Sequence, residues 1–152
     1  IAETITKEVQ AAARTLGLEL HVLNASTERD FDAVFAKLIQ LRAGGLVIGG
    51  GAFLASHRTR LAALTVRHAV PAISLYREFA AAGGLLSYGA DLADAYRLTG
   101  NYTGRILKGE KPADLPVQQS TKVELYINLK TAKTLGLTIP NTLIGRADEV
   151  FE

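Results

Sequence analysis

With 152 residues, 48% of them apolar and 21% charged, the chain has the size and composition of one ordinary domain with a real core. Its 17 basic and 15 acidic residues leave a net charge of +2, and the basic ones are scattered, not striped, so no nucleic-acid partner is expected. Cysteine is absent, which removes disulfides, cysteine nucleophiles and cysteine metal sites, and no apolar run approaches the length that spans a bilayer.

The chain opens at Ile1 directly on a helical pattern, with no methionine and no signal-peptide pattern, and so reads as a piece of something larger. Ile5, Val9, Ala12 and Leu16 recur at helical spacing, and Gly17 caps them. Leu18 to Leu23 alternates apolar and polar and predicts a strand over 18–24. Asn24 to Thr27 predicts a turn with a helix N-cap, and Phe31, Val34, Phe35, Leu38 and Leu41 form the apolar stripe of the helix that follows. After Gly44-Gly45, the wholly apolar Leu46-Val47-Ile48 predicts a strand buried on both faces. Gly49-Gly50-Gly51 turns the chain into a helix over 53–69, which Pro71 stops, and Ala72 to Leu75 predicts the next buried strand. Alternation of helices with short buried strands predicts an α/β fold: a mostly parallel sheet covered by helices, with right-handed crossovers. The first helix has no strand before it, as if the sequence began just inside a domain.

Beyond Leu75 the rhythm changes. Residues 76–82 predict a helical turn, 85–88 a strand between glycines, and Asp91 to Lys108 a helix capped by Gly109. The stretch KPADLPVQQSTK reads as extended, Lys122 to Ile127 as a strand, and Leu129 to Leu135 as a short helix capped by Asn128 and ended by Gly136. The tail LIGRADEVF is amphipathic.

In open α/β sheets, ligands sit outside the carboxyl ends of the strands. That rule selects Asn24 to Thr27, Gly49 to Phe53, Leu75 to Phe79 and Tyr88 to Asp91. The glycine triplet is neither a P-loop, since no Lys-Ser or Lys-Thr follows, nor a dinucleotide fingerprint, since Leu54 stands where the last glycine belongs. It serves either as a tight turn or as a close approach for a small ligand. Tyr76, Arg77, Glu78 and Phe79 put both charges and two aromatics at a strand end, either facing a ligand or forming a solvated loop. His57 and His68, placed on one predicted helix, stand about 16 Å apart, too far for one metal ion. Asp91 and Asp94 fall in a first helical turn, where capping explains them. Nothing demands catalysis, a metal or another cofactor.

The segments YREFAAAGGLLSYGADLADAYRLTG, YTGRILKGEKPADLPVQQSTKVELYINLKTAKTLGLTIP and RADEV, in this order and spacing, resemble the C-terminal half of ABC-transporter substrate-binding proteins of the type I periplasmic-binding fold. The likeness is to the subgroup linked to aromatic amino acids or of unknown substrate, and it covers essentially the whole chain. It implies a three-layer αβα lobe whose first strand and N-terminal partner lobe would lie before Ile1. It implies that residues 1–82 are the C-terminal ligand-binding lobe, that 83–116 hold a hinge crossing and a helix of the other lobe, and that 117–152 hold the return crossing, a helix and the tail. Gly83 to Gly89 and Leu115 to Tyr126 would be the second and third crossings, with Gly83, Gly84 and Gly89 as hinge joints. Gly51, Ala52, Phe53, Tyr76, Arg77 and Glu78 would line the ligand cleft, Phe53 offering an aromatic face and Glu78 holding an ammonium group.

The resemblance implies a periplasmic, non-catalytic component of an ABC importer. It would deliver a small organic solute, such as an amino acid, to membrane permease and ATPase subunits. The open sheet edge would favour pairing with a second copy. The alternative is a ligand-sensing domain of a transcription regulator with the same fold. An enzyme on a flavodoxin-like or Rossmann-like sheet is disfavoured by the lack of a nucleotide loop and a nucleophile.

Overall fold

The computed structural model of the chain describes residues 2–118 and 121–152, and divides into two compact units, Ile1–Leu41 and Arg42–Glu152. The opening residue Ile1, and residues 119–120 of the expected third crossing, lie outside the described residues.

The first unit holds helices α1 (Ala2–Thr15) and α2 (Asp30–Gln40). Phe31, Phe35 and Leu38 of the predicted stripe are buried. The cap expected between Asn24 and Thr27 is built differently. No side chain caps α2 at its start; the Asp30 carboxylate reaches back instead and accepts the backbone N–H groups of Ser26 and Thr27, both at 2.8 Å. Those bonds hold the Asp30 carboxyl below its ordinary range.

Residues 18–24 form no strand, contrary to the alternating pattern. Alternation makes a segment fit to be a strand, but a ladder needs a neighbour. In the flavodoxin-like order 2-1-3-4-5, the strand after the first helix pairs only with the strand before it. Among the described residues, 18–24 pair with no strand.

The second unit carries a five-stranded sheet of order β1-β2-β3-β4-β5: Leu46–Ile48, Ala72–Ser74, Leu86–Ala90, Val123–Asn128 and Glu149–Phe151. β1, β2 and β3 run parallel, β4 runs antiparallel to β3, and β5 is parallel to β4. The expected crossings 83–89 and 115–126 meet in the β3–β4 ladder over part of their length, from Leu86 opposite Ile127 to Ala90 opposite Val123. β5 is a strand that the sequence reading missed.

The helix predicted over 53–69 breaks at His57 into α3 (Ala52–Ser56) and α4 (Arg58–Arg67). The His57 ring nitrogen lies 2.8 Å from the Phe53 carbonyl. α5 (Arg77–Ala81) packs against β2, β3 and β4 and buries Phe79 beneath it. α6 (Leu92–Leu107) starts where predicted, with the Asp91 carboxylate accepting the Asp94 N–H at 3.1 Å. It buries no residue, and Leu92 and Tyr96 stand exposed on it. A 3-10 turn at Pro112–Asp114 interrupts the extended stretch that follows. α7 (Leu129–Thr134) is capped by Asn128, whose carbonyl oxygen accepts the Thr131 N–H at 2.9 Å while its amide donates to the Ala80 carbonyl at 3.0 Å. α8 (Asn141–Ile144) leads into β5.

Candidate functional site

The carboxyl ends of β2 and β3 open onto a pocket of about 300 Å³, within the size range of small-ligand sites. Its floor is one face of the β3–β4 ladder. Ser87 stands opposite Tyr126 and Gly89 opposite Glu124, and residues opposed in an antiparallel pair share a face. Leu75, Tyr76, Arg77 and Glu78 come in from the β2–α5 junction, and Asp91, Leu92 and Ala93 from the start of α6.

Gly89 makes this geometry feasible. A Cβ there would lie 2.1 Å from the Leu75 carbonyl oxygen, so the two chain segments meet backbone to backbone. Gly84 has a similar packing role, since a Cβ on it would lie 2.2 Å from the Phe79 ring. Gly83 ends α5 with φ +100°, a conformation that other residues resist. Each of the three expected hinge glycines thus has a static reason for its place.

Most of the polar groups on the wall are already engaged. Arg77 donates through Nε (3.1 Å) and Nη2 (2.5 Å) to Glu149 Oε2 on β5, and this carboxylate raises the guanidinium pKa further. The Arg77 guanidinium also lies 5.2 Å from the Tyr126 ring centre and 5.4 Å from that of Phe151. The Tyr126 hydroxyl donates to Glu124, and burial first, then that bond, push the phenol up to about 12. Lys122 bridges Asp91 and Glu124, 2.7 Å from each. Its ammonium, with help from the Asp94 N–H, holds the Asp91 carboxyl below its usual range.

The Glu78 carboxylate is exposed and meets no partner among the described residues. With Arg77 matched by Glu149, and Asp91 and Glu124 sharing the single Lys122 ammonium, the unpaired Glu78 leaves the wall net acidic. Such a surface suits the N–H-bearing, positive end of a small molecule.

The structure brings together Tyr76, Arg77, Glu78 and Gly89 of the sequence candidates. Gly51, Ala52, Phe53, Gly83 and Gly84 are not on this wall. The Phe53 ring packs 4.6 Å from the His57 ring. The glycine loop still approaches the pocket, because a Cβ on Gly50 would lie 3.0 Å from Leu75 Cδ1 and 3.9 Å from the Tyr76 hydroxyl. Ser87, Glu124 and Tyr126 were missed as candidates, and Asp91, within the selected loop Tyr88 to Asp91, was read only as a helix cap. The alternation of Lys122 to Ile127 puts Glu124 and Tyr126 on one face, but only the ladder register sets that face over Ser87.

A family model described as "ABC transporter substrate binding protein" matches residues 2–151. The chain belongs to this family. Solved structures share the fold. The conserved domain protein from Vibrio cholerae O1 biovar eltor superposes with a TM-score of 0.87 at 22% identity, over 98% of this chain and 50% of that one. The ABC domain in complex with L-Trp from Streptococcus pneumonia gives 0.86 at 25% identity, over 99% and 50%. A ligand-free, open substrate binding protein with adhesive properties from Clostridium difficile gives 0.69 at 19%, over 99% and 50%. The chain thus spans half the length of each. No curated protein matches it.

Proposed function

We propose that the chain is the C-terminal part of the solute-binding component of a periplasmic ABC importer, and that the pocket over β3 and β4 takes the amine end of a small organic solute of the amino-acid class. The observation that carries this reading is the partnerless Glu78 carboxylate on an acid-rich wall flanked by Tyr76 and Tyr126, in a chain of this family. Support comes from the similar ABC domain bound to L-Trp. Gly51, Ala52 and Phe53, on the neighbouring loop, would meet the solute from the side as the cleft closes. The role is capture and delivery to permease and ATPase subunits, without turnover.

In this reading residues 1–82 form the C-terminal lobe, 83–116 cross to and return a helix of a second lobe, and 117–152 cross back. The bare flank of α6 supports that assignment, since a helix carrying Leu92 and Tyr96 exposed has a surface to bury elsewhere. The paired β3 and β4 would be two of the hinge strands.

The test is native mass spectrometry of the full-length gene product, incubated with the twenty amino acids and a set of aromatic acids. Retention of one amine-bearing solute, lost in Glu78→Gln, is expected. Retention of none, or retention only of amine-free acids, would contradict the assignment.

A further inference from the structure

Arg77 is the one lysine or arginine lining the pocket among the described residues. A solute carboxylate would seek it, because a guanidinium holds a carboxylate through two parallel N–H donors. The fold has already used that side chain. Arg77 opens α5, and its guanidinium reaches past β3 and β4 to Glu149 on β5. Nε and Nη2 both donate to Glu149 Oε2, at 3.1 and 2.5 Å.

The sheet builds this grip. Glu149 is the register partner of Tyr126 in the β4–β5 ladder, and Phe151 follows two residues on, so the three side chains share one face. It is the face that forms the pocket floor, where Tyr126 opposes Ser87. The Tyr126 and Phe151 rings stack with 6.4 Å between centres, and the guanidinium lies 5.2 and 5.4 Å from them. β5 thus extends the floor by a carboxylate and an aromatic ring, both bearing on Arg77. Neither Glu149 nor Phe151 lines the pocket itself.

An ion pair whose side chains are 46% and 41% exposed adds little to stability. Its larger effect is on what the pocket offers a solute. Glu149 takes the Nε–Nη2 fork of Arg77, and its negative charge opposes a second carboxylate at the remaining N–H groups. Glu78, which has no such cation, then sets the sign of the wall.

Resting on the reading of the pocket as a solute site, we infer that Glu149 is a specificity-determining residue that acts through Arg77. It withholds the pocket's arginine from solute carboxylates, and so biases the site toward an amine end and against acids that lack the amine. Glu149 is a positioning residue, since it touches Arg77 and not the solute. Removing its charge frees the guanidinium to hold a carboxylate at the same wall.

The experiment is isothermal titration of the full-length gene product and its Glu149→Gln and Arg77→Gln/Glu149→Gln variants. L-tryptophan, or whichever of the twenty amino acids gives the strongest heat, establishes the site in the wild type. The probes are the matching acid without the amine and the matching amine without the carboxylate (indole-3-propionate and tryptamine for tryptophan). In Glu149→Gln the acid should bind at least about tenfold more tightly than in the wild type, and the amine no more tightly. The gain for the acid should vanish in the double variant, because the freed donor is gone. Unchanged affinity for the acid in Glu149→Gln, while the amino acid binds the wild type, overturns the inference and leaves the solute site standing. An equal change for both probes, or collapse of the fold in Glu149→Gln, reveals a merely structural pair and overturns it. A gain that survives in the double variant also overturns it, since Arg77 would not be its source. Absence of binding by any amino acid in the wild type overturns the solute reading and the inference together.

Discussion

Replacing Gly89 by alanine tests whether β2 and β3 are held at a backbone contact that leaves no room for a side chain. The added Cβ would lie 2.1 Å from the Leu75 carbonyl oxygen and 3.0 Å from the Leu75 carbonyl carbon. That is more than about 1 Å short of an ordinary non-bonded separation. The obstacle is backbone, so no rotamer change relieves it. Relief requires the β2–α5 junction to move away from β3, which strains the parallel pairing of Ile73 with Leu86 and Ser74 with Ser87. Overpacking of this kind costs about 3 kcal/mol, which exceeds the gain of about 0.5–1 kcal/mol that alanine brings by restricting the unfolded chain. For a chain of this length the net loss lowers Tm by roughly 5–10 °C. Gly100, inside α6, is the control: a Cβ there meets nothing within 4 Å. Gly100→Ala should be neutral or stabilise by up to about 1 kcal/mol. Thermal melting followed by far-UV circular dichroism reads both. A Gly89→Ala variant melting within about 2 °C of wild type, or a Gly100→Ala variant losing as much as Gly89→Ala, would refute the reasoning.

Asn128→Ala removes the cap of α7 and the bond to the buried Ala80 carbonyl together, and should cost about 2–4 kcal/mol by urea denaturation, whereas Lys130→Ala on the exposed side of the same helix should cost less than about 0.5 kcal/mol. The Tyr126 phenol is raised in the fold to about 12, so the folded chain keeps a proton that the unfolded chain loses near pH 10; the stability this lends is present below pH 10 and lost on rising toward 12, and Tyr126→Phe should flatten that alkaline limb. Asp91 is lowered, chiefly by Lys122, so its contribution is present above the ordinary carboxyl range near pH 4 and drains as pH falls through its folded value; Asp91→Asn should make the acid limb shallower and lower stability at neutral pH. β1 has one strand neighbour and Val47 stands 61% exposed on it, so the 152-residue chain should self-associate in sedimentation velocity at high concentration, and Val47→Lys should suppress this.

The sequence revealed elements wherever local chemistry decides them. Asp91 and Asn128 announce their helices because a capping side chain acts within three residues, and both caps form as read. Leu46-Val47-Ile48 and Ala72 to Ser74 read as strands because short apolar runs beside glycine or proline have few other uses. Residues 18–24 misled for the opposite reason, since an alternating pattern makes a strand only beside a neighbour, and among the described residues they have none. β5 stayed hidden because three residues of an amphipathic tail carry no period, and its place is fixed by pairing with β4. The site was half legible. Tyr76, Arg77 and Glu78 lie together at a strand end and were found there. What Arg77 touches was not legible, because Glu149 lies 72 residues away and comes to it through β5. Ser87 looked like any small strand residue, and only the ladder register sets it opposite Tyr126 under the pocket.

Calorimetric titration of the full-length gene product and of the 152-residue chain, with the same panel of amino acids and aromatic acids, tests the solute-cleft reading most directly. Micromolar binding corresponds to about −8 kcal/mol and requires most of a small ligand's surface to be covered. If each side of the cleft supplies about half of the gross interaction, the chain alone should bind at best in the millimolar range, about a thousandfold more weakly than the full-length protein. Micromolar binding of an amine-bearing solute to the full-length protein, with that loss in the chain alone, is the predicted result. Equal micromolar affinity in both would place the whole site within these 152 residues and contradict the two-sided cleft.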